Sequence, residues 1–243
     1  MGGARSSNMA KAISATVRRR LLRSRPLLRS CLLGAVAFLA ACIAHEGLGH
    51  AGTCLMLEGH IVAMSSAVFQ CGPASVWVDI AGPIANALAF LIGAIFLLRM
   101  SRRTTSRDLL GLFVAVNACW GFGYQMYSAV TDTGDWAFAL RAFAHGSWES
   151  AGLRVVCGVS GAVLYVRALR WVRSRLPARH ELLAAYAGAG TCSVILVLLT
   201  EGPRLSRVVE AVNESWVALA GIAVLAVRGR AAQGAKLGTG EAA

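Results

Sequence analysis

The stretch His45-Glu46-Gly47-Leu48-Gly49-His50 lies near the end of an apolar run from residue 31 to residue 57. Its two imidazoles and its carboxylate are costly in a hydrocarbon environment, which makes them candidates for function. Two histidines beside a glutamate are also the side chains of a helical zinc-hydrolase site, in which the histidines bind the metal and the carboxylate takes a proton from water. The stretch therefore predicts a metal site on the first apolar helix.

The spacing of the two histidines departs from the familiar His-Glu-x-x-His motif. His45 and His50 are five residues apart, which corresponds to about 140° around an ideal helix. A single π-type bulge absorbs one residue and brings both rings to one face. Gly47 and Gly49 favour such a bulge, or the close approach of another segment, because each glycine costs roughly 1 kcal/mol relative to alanine inside a helix. The simpler interpretation is a pair of polar histidines inside a helix bundle, with Glu46 hydrogen-bonded to one of them.

The composition predicts an all-α polytopic membrane protein. Of the 243 residues, 56% are hydrophobic and 15% are charged, which is well outside the usual balance of a soluble domain. Six apolar segments approach the ~20 residues that cross a bilayer. A mixed stretch between the first two segments predicts a short re-entrant or hairpin loop. The segments cover about residues 31–57, 77–98, 109–129, 152–172, 182–200 and 208–227.

The basic residues follow this membrane topology. Twenty of the 24 lie at the N-terminus or after the second, fourth or sixth segment, all on one side of the membrane. The positive-inside rule therefore predicts that both termini are cytoplasmic. Membrane topology accounts for most of the basic residues, and the sequence has no further basic surface with interleaved aromatic residues. The net charge of +12 therefore does not indicate nucleic-acid binding,.

These observations divide the chain into four parts. They are a basic cytoplasmic segment at 1–29, a membrane-embedded core of three helices at 30–150, three further transmembrane helices at 151–230 and a flexible tail at 231–243. Cys54 and Cys71 are expected toward the outward side, where a disulfide could persist if the compartment is oxidising. Glu210 and Glu214 could form a functional pair, but a position at the interface is the simpler expectation.

Two further polar clusters are predicted at the same membrane depth as the histidines. Gly82-Pro83-Ile84-Ala85-Asn86 lies near the start of the second segment, and the amide of Asn86 needs partners in an apolar setting,. The carboxylates Asp132 and Asp135 follow the third segment directly. Three polar clusters that are far apart in sequence but share one depth predict a common site near the outer face.

The chain resembles the site-2 protease family of intramembrane zinc metalloproteases in three motifs and in their order. The motifs are His45-Glu46…His50, Gly82-Pro83-x-x-Asn86 and a carboxylate near Asp135. The resemblance covers about residues 31–140. Two features depart from the family pattern. The spacing of the histidines is longer than in His-Glu-x-x-His and is similar to that of the soluble dipeptidyl-peptidase III family. The family's aspartate usually lies in a Leu-Asp-Gly setting, whereas this chain has Gly134-Asp135-Trp136.

The resemblance implies a zinc-dependent metalloendopeptidase in a bacterial plasma membrane. Zinc would be held by His45, His50 and Asp135, and Glu46 would be the general base on zinc-bound water. The expected substrate is a partner membrane protein, cut in or near a transmembrane segment. Asn86 would hold the substrate strand or stabilise the oxyanion.

Several alternatives stay open at this point. Asp132 could replace Asp135 as the third ligand, because residues three apart share a helical face. Glu46 and His50 could form a rival ligand pair, since they are four apart and face the same way on an ideal helix. The protein could also be a catalytically silent, metal-binding relative of the same fold that binds or regulates another membrane protein. A metal or proton transporter is disfavoured, because the 45–50 cluster has no repeat in the second half of the chain,.

Overall fold

The computed structural model describes residues 25–66, 68–102, 104–176, 178–213, 216 and 219–226. Most of the predicted basic segment at 1–29 and the whole of the predicted tail at 231–243 lie outside these residues. The side chain of Glu210 and all of Glu214 lie outside them as well, so the structure does not address their predicted pairing.

Long helices make up most of the described chain, as expected for apolar runs that must satisfy their backbone hydrogen bonds internally. Pro83 lies inside the second of these helices, in its early turns. The helices are α1 Arg25–Met56, α2 Val76–Arg99, α3 Thr105–Thr131, α4 Asp135–Phe143, α5 Ser147–Arg173, α6 Arg179–Glu201 and α7 Leu205–Val212.

Five helices in the described residues are long and apolar enough to cross a membrane, namely α1, α2, α3, α5 and α6. Their lengths and composition fit a membrane protein. The sixth predicted segment, 208–227, is not among the five. It coincides with part of α7 and with a helical stretch at 220–226, and several residues between the two are not described.

A two-stranded antiparallel hairpin connects α1 to α2. Strand β1 is His60–Met64 and strand β2 is Phe69–Gly72, with a register irregularity between Ile61 and Ala63. The structure pairs the two cysteines that the sequence placed on the outward side: Cys54 in α1 and Cys71 in β2 form a disulfide, with their Cα atoms 5.9 Å apart. The hairpin is therefore covalently fixed to the end of α1.

Helix α3 is the central element of the bundle. In its most apolar stretch 67% of the residues are buried, compared with 22% in α5. It packs against α2 and α5, and Leu112 and Val116 are among its fully buried side chains. Polar groups on α3 are consequently surrounded by protein, where partner side chains can satisfy them.

Candidate metal centre

The end of α1 is wound more widely than an α-helix. Residues Ile43–Ala51 form a π-helical segment, and the backbone N–H of Gly52 donates to the carbonyl of Gly47, five residues earlier. The extra residue per turn compensates for the long spacing, so His45 and His50 point to one side. The predicted π-type distortion is confirmed. It also removes the basis of the rival pair, which assumed that Glu46 and His50 lie on an ideal helix.

Two glycines allow α1 and α2 to touch at this level. A Cβ atom at Gly49 would lie 2.6 Å from the Cα of Gly82, which is closer than real Cβ contacts. A Cβ atom at Gly82 would lie 2.7 Å from Nε2 of His45 and still nearer to Nε2 of His50. Gly49 thus permits close helix packing, whereas Gly82 leaves open the space that both imidazoles face.

Asp135 reaches the same space from the start of α4. Helix α3 ends at Thr131, Asp132 adopts a left-handed conformation with φ of 59°, and Gly134 follows with φ of 81°. This tight reversal of the chain directs the first residue of α4 back toward α1. The side chain of Asp135 is 19% exposed, and the two histidine side chains are more deeply buried.

The structure brings together the three residues that the sequence predicted as ligands. Nε2 of His45 lies 3.2 Å from Nε2 of His50 and 3.1 Å from Oδ2 of Asp135. Nε2 of His50 lies 3.4 Å from the same carboxylate oxygen. The three atoms form a nearly equilateral triangle, and in the described part of the chain these residues are the group that could hold a metal ion.

The dimensions of this triangle fit a tetrahedral metal site. Ligand atoms about 2.0–2.1 Å from a zinc ion, and separated by the tetrahedral angle, lie roughly 3.3–3.4 Å apart. The three measured separations, 3.1, 3.2 and 3.4 Å, are close to this value. Two imidazole nitrogens and one carboxylate oxygen are also the donor types of catalytic zinc sites, in which a fourth position stays open.

Hydrogen bonds on the far side of each ring orient both histidines. Nδ1 of His50 donates to the backbone carbonyl of Val78 at 2.6 Å, and Nδ1 of His45 donates to the side-chain oxygen of Asn86. A proton held on Nδ1 leaves the lone pair on Nε2, which is the nitrogen that faces the other ligands. Both rings are therefore held in the tautomer that binds a metal.

Asn86 is itself fixed by a buried polar chain. Its amide nitrogen donates to the carbonyl of Ala41 at 3.3 Å and to the side-chain oxygen of Asn117 at 2.8 Å. Asn117 in turn donates to the carbonyl of Phe113. Asn86 is fully buried, and both of its amide hydrogens are used. This arrangement favours a role in positioning His45 over the predicted contact with the substrate strand or the oxyanion.

Glu46 is placed beside the ligands but is not one of the three. The residue is 7% exposed, and its Oε2 atom has no hydrogen-bond partner among the described residues. It lines a cavity of about 40 Å³ together with His45, His50 and Asp135. This volume exceeds the ~10–15 Å³ that one water molecule requires. An unpaired carboxylate oxygen beside such a space can accept a proton from a molecule bound there.

Asp132, the alternative third ligand, lies outside the cluster. Its side chain is 45% exposed, accepts a hydrogen bond from Arg141 at 3.0 Å and forms an ion pair with Arg154 at 3.2 Å. The alternative does not hold, because it assumed that Asp132 and Asp135 share one helix. A chain reversal separates them, and the three-residue spacing therefore does not place them on one face.

The electrostatic environment of Asp135 favours its ionised form. Burial alone would raise the pKa of this carboxyl group, but its contacts with His45 and His50 outweigh that effect and hold the pKa well below its usual range,. A carboxylate that stays ionised beside two imidazoles is suited to binding a cation.

Sequence reasoning missed the aromatic residues that enclose the cluster. Phe69 of β2 stacks on the ring of His50, with the ring centroids 5.3 Å apart and the planes 16° from parallel. The ring of Trp120 packs against the ring of His45, with the two centroids 5.4 Å apart. It belongs to a second π-helical segment, Cys119–Gly123, which the alternation of glycine and aromatic residues there could have indicated. No such local signal marks Phe69, because its position depends on how the hairpin folds back.

A wider groove of about 820 Å³ adjoins the small cavity and shares Phe69, Tyr124 and Asp135 with it. The hairpin, the turn before α4 and helix α7 contribute to its walls.

Comparison of the chain with protein-family models, curated proteins and solved structures finds no match.

Proposed function

We propose that this protein is an intramembrane zinc metalloprotease. The observation that carries the proposal is the triangle of His45 Nε2, His50 Nε2 and Asp135 Oδ2, with the unpaired carboxylate oxygen of Glu46 facing the same cavity. Three protein ligands, an open position and a neighbouring general base are the set that metal-assisted peptide hydrolysis requires. The motif resemblance to the site-2 protease family points to the same chemistry.

The residues around the cavity have separate tasks in this proposal. His45, His50 and Asp135 would hold the ion, and a bound zinc ion supplies a Lewis acid that polarises a carbonyl and lowers the pKa of water from ~15.7 toward ~7. Glu46 would accept the proton of the attacking water at Oε2 and deliver it to the leaving amine. Asn86 would keep the ring of His45 in place through its hydrogen bond to Nδ1.

The groove beside the cavity supports a peptide substrate. Its volume of about 820 Å³ can take several side chains, and its walls combine aromatic and aliphatic residues with charged ones,. Strand β2 borders the groove through Phe69 and Gln70. A transmembrane helix must unwind locally before its backbone can reach a metal, and an extended segment would then fit beside this strand.

The proposed orientation has both termini in the cytoplasm and the cluster toward the outer face of the membrane. It rests on the distribution of basic residues, which is a good predictor of topology,. Topology reporters fused after residues 103 and 145 are expected to report opposite sides of the membrane. Reports from the same side would contradict this orientation.

The function is tested with a catalytic variant in the native host. Membrane proteomes of cells that produce the wild-type protein and the Glu46→Gln variant are compared for fragments that end in or near transmembrane segments. The wild type is expected to generate such fragments, and the variant is expected to lack them at equal expression. Identical fragment patterns would favour the alternative function, a catalytically silent metal-binding protein that binds or regulates another membrane protein.

A further inference from the structure

Two buried polar atoms at the small cavity lack hydrogen-bond partners among the residues that the structure describes. One is Oε2 of Glu46, and the other is the hydroxyl oxygen of Ser66. Both residues line the cavity of about 40 Å³ that the three candidate ligands also face. Buried polar groups are nearly always hydrogen-bonded, so both atoms are available to a molecule that binds in this cavity.

The two atoms have complementary hydrogen-bonding roles. The carboxylate of Glu46 accepts, whereas the hydroxyl of Ser66 has a proton to donate. An occupant that uses the proton of Ser66 and a lone pair of Glu46 presents an acceptor to Ser66 and a donor to Glu46. An attacking water together with the carbonyl oxygen of a scissile peptide bond meets this requirement.

The position of Ser66 is fixed by the turn of the hairpin. The backbone N–H of Ser65 donates to the carbonyl of Val68 at 2.8 Å, and the N–H of Val68 donates to the hydroxyl of Ser65 at 3.0 Å. The hydroxyl of Ser65 also donates to Glu201 of α6 at 2.5 Å. These bonds fix the residues on both sides of Ser66, which keeps its side chain beside the cavity.

The base of the hairpin is held as well. The Cys54–Cys71 disulfide joins β2 to α1, and Phe69 stacks on His50. The hairpin is thus attached to the helix that carries two of the candidate ligands. A donor on such a support keeps its direction during a reaction, which is the property that makes oxyanion stabilisation effective.

The sequence suggested Asn86 as the residue that stabilises the oxyanion, but the side-chain amide of Asn86 already has other hydrogen-bond partners. Asn86 donates both of its amide hydrogens to Ala41 and Asn117 and does not line the cavity. The proposed reaction therefore needs another donor for the charge that develops on the carbonyl oxygen.

We propose that Ser66 is a catalytic residue whose hydroxyl donates a hydrogen bond to the scissile carbonyl oxygen as it becomes an oxyanion. The inference rests on the proposed peptidase function. Water adds to the carbonyl carbon while Glu46 takes its proton, and the C=O double bond becomes a C–O⁻ single bond facing Ser66. The carbonyl then re-forms, the C–N bond breaks and the proton passes from Glu46 to the amine. Ser66 keeps its own proton throughout.

A hydroxamate tests this assignment without knowledge of the substrate. Such a ligand chelates a metal through two oxygens, one of which is a carbonyl oxygen like that of the scissile bond. We would load the full-length protein with Co²⁺, titrate it with acetohydroxamate and follow the visible absorption of cobalt. Wild type, Ser66→Ala and Ser75→Ala would be compared. Ser75 is a matched control, because it precedes α2, makes no capping bond through its side chain and does not line the small cavity.

The expected result is one bound cobalt ion per chain in all three proteins. Acetohydroxamate is expected to bind Ser66→Ala roughly 3–10-fold more weakly than wild type, which is the usual effect of one lost hydrogen bond. Ser75→Ala should behave as wild type. With a cleavable substrate, Ser66→Ala should lose ~10²–10³ in kcat.

Equal hydroxamate affinity in wild type and Ser66→Ala would overturn the role of Ser66 and leave the metal site intact. Loss of cobalt from Ser66→Ala would also overturn it, since the residue would then be structural. If the wild type itself holds no cobalt, or its spectrum does not respond to acetohydroxamate, the proposed function fails and this inference fails with it.

Discussion

Asp132 and Asp135 are three residues apart but belong to two different environments. Asp135 lies against two buried histidines and is 19% exposed, whereas Asp132 is 45% exposed and lies between Arg141 and Arg154. Opposite charges neutralise Asp132 at the surface, where ion pairs contribute little. Asp135 contacts the imidazoles of His45 and His50, and a cation between these three side chains would be bound by all of them. The comparison shows that the partners of a carboxylate, more than its place in the sequence, indicate its function.

Removal of each carboxylate in turn is expected to have the largest and most different effects on metal binding. Asp135→Ala is expected to abolish stoichiometric zinc binding, because it removes one of three ligands and leaves the histidines alone. Asp132→Ala should retain the zinc affinity of the wild type. Metal analysis of the purified proteins measures both effects. Equal zinc content in the two variants would contradict the assignment of Asp135.

A methyl group at Gly82 should also disrupt the cluster. The added Cβ would approach Nε2 of both histidines too closely, so Gly82→Ala is expected to lose zinc and to lower the melting temperature. Gly152→Ala is the control, since nothing lies within 4 Å of a Cβ atom there. That change should be neutral or stabilising by up to about 1 kcal/mol. Full zinc content in Gly82→Ala would show that the ion binds elsewhere.

Residues that support a ligand should have smaller effects than the ligands themselves. Asn86→Ala removes the acceptor for Nδ1 of His45, so its zinc affinity is expected to fall ~10–100-fold, the range typical of such partners. Asn117→Ala acts one hydrogen bond further away and should have a weaker effect. Competition with a fluorescent zinc chelator measures both affinities. If Asn117→Ala lost more affinity than Asn86→Ala, the buried polar chain would not act through His45.

The smallest effect on stability and zinc binding is expected from a change in the ion pairs of Asp132. Arg141→Ala removes an exposed ion pair and should change the free energy of unfolding by no more than about 1 kcal/mol. Zinc affinity should be unchanged. Thermal unfolding and metal analysis of the variant test these expectations, and a clear loss of zinc would mean that the two clusters are coupled.

The sequence predicts the candidate ligands on α1 better than the residues that surround them. The spacing of His45 and His50 requires a π-helical distortion, because an ideal helix would turn them apart, and a local rule is enough to see this. The choice between Asp132 and Asp135 is not local, since it depends on a chain reversal between two helices. Ser66 and Phe69 depend on how a hairpin folds back over α1, which no spacing in the sequence records.

The number of helices is predictable only in part. Apolar length identifies α1, α2, α3, α5 and α6, because hydrocarbon thickness sets the length of a spanning helix,. The segment 208–227 contains polar residues that interrupt its apolar character. Composition alone therefore does not decide how it folds.

In the proposed site His45 binds the metal and Glu46 does not, and this difference can be measured. It is tested most directly by the zinc content of His45→Ala and Glu46→Gln, purified in parallel with the wild type. Glu46→Gln is expected to keep one zinc ion per chain, because its carboxylate is not one of the three ligands, and His45→Ala is expected to lose it. Retention of zinc by His45→Ala, or its loss from Glu46→Gln, would contradict the proposed ligand set.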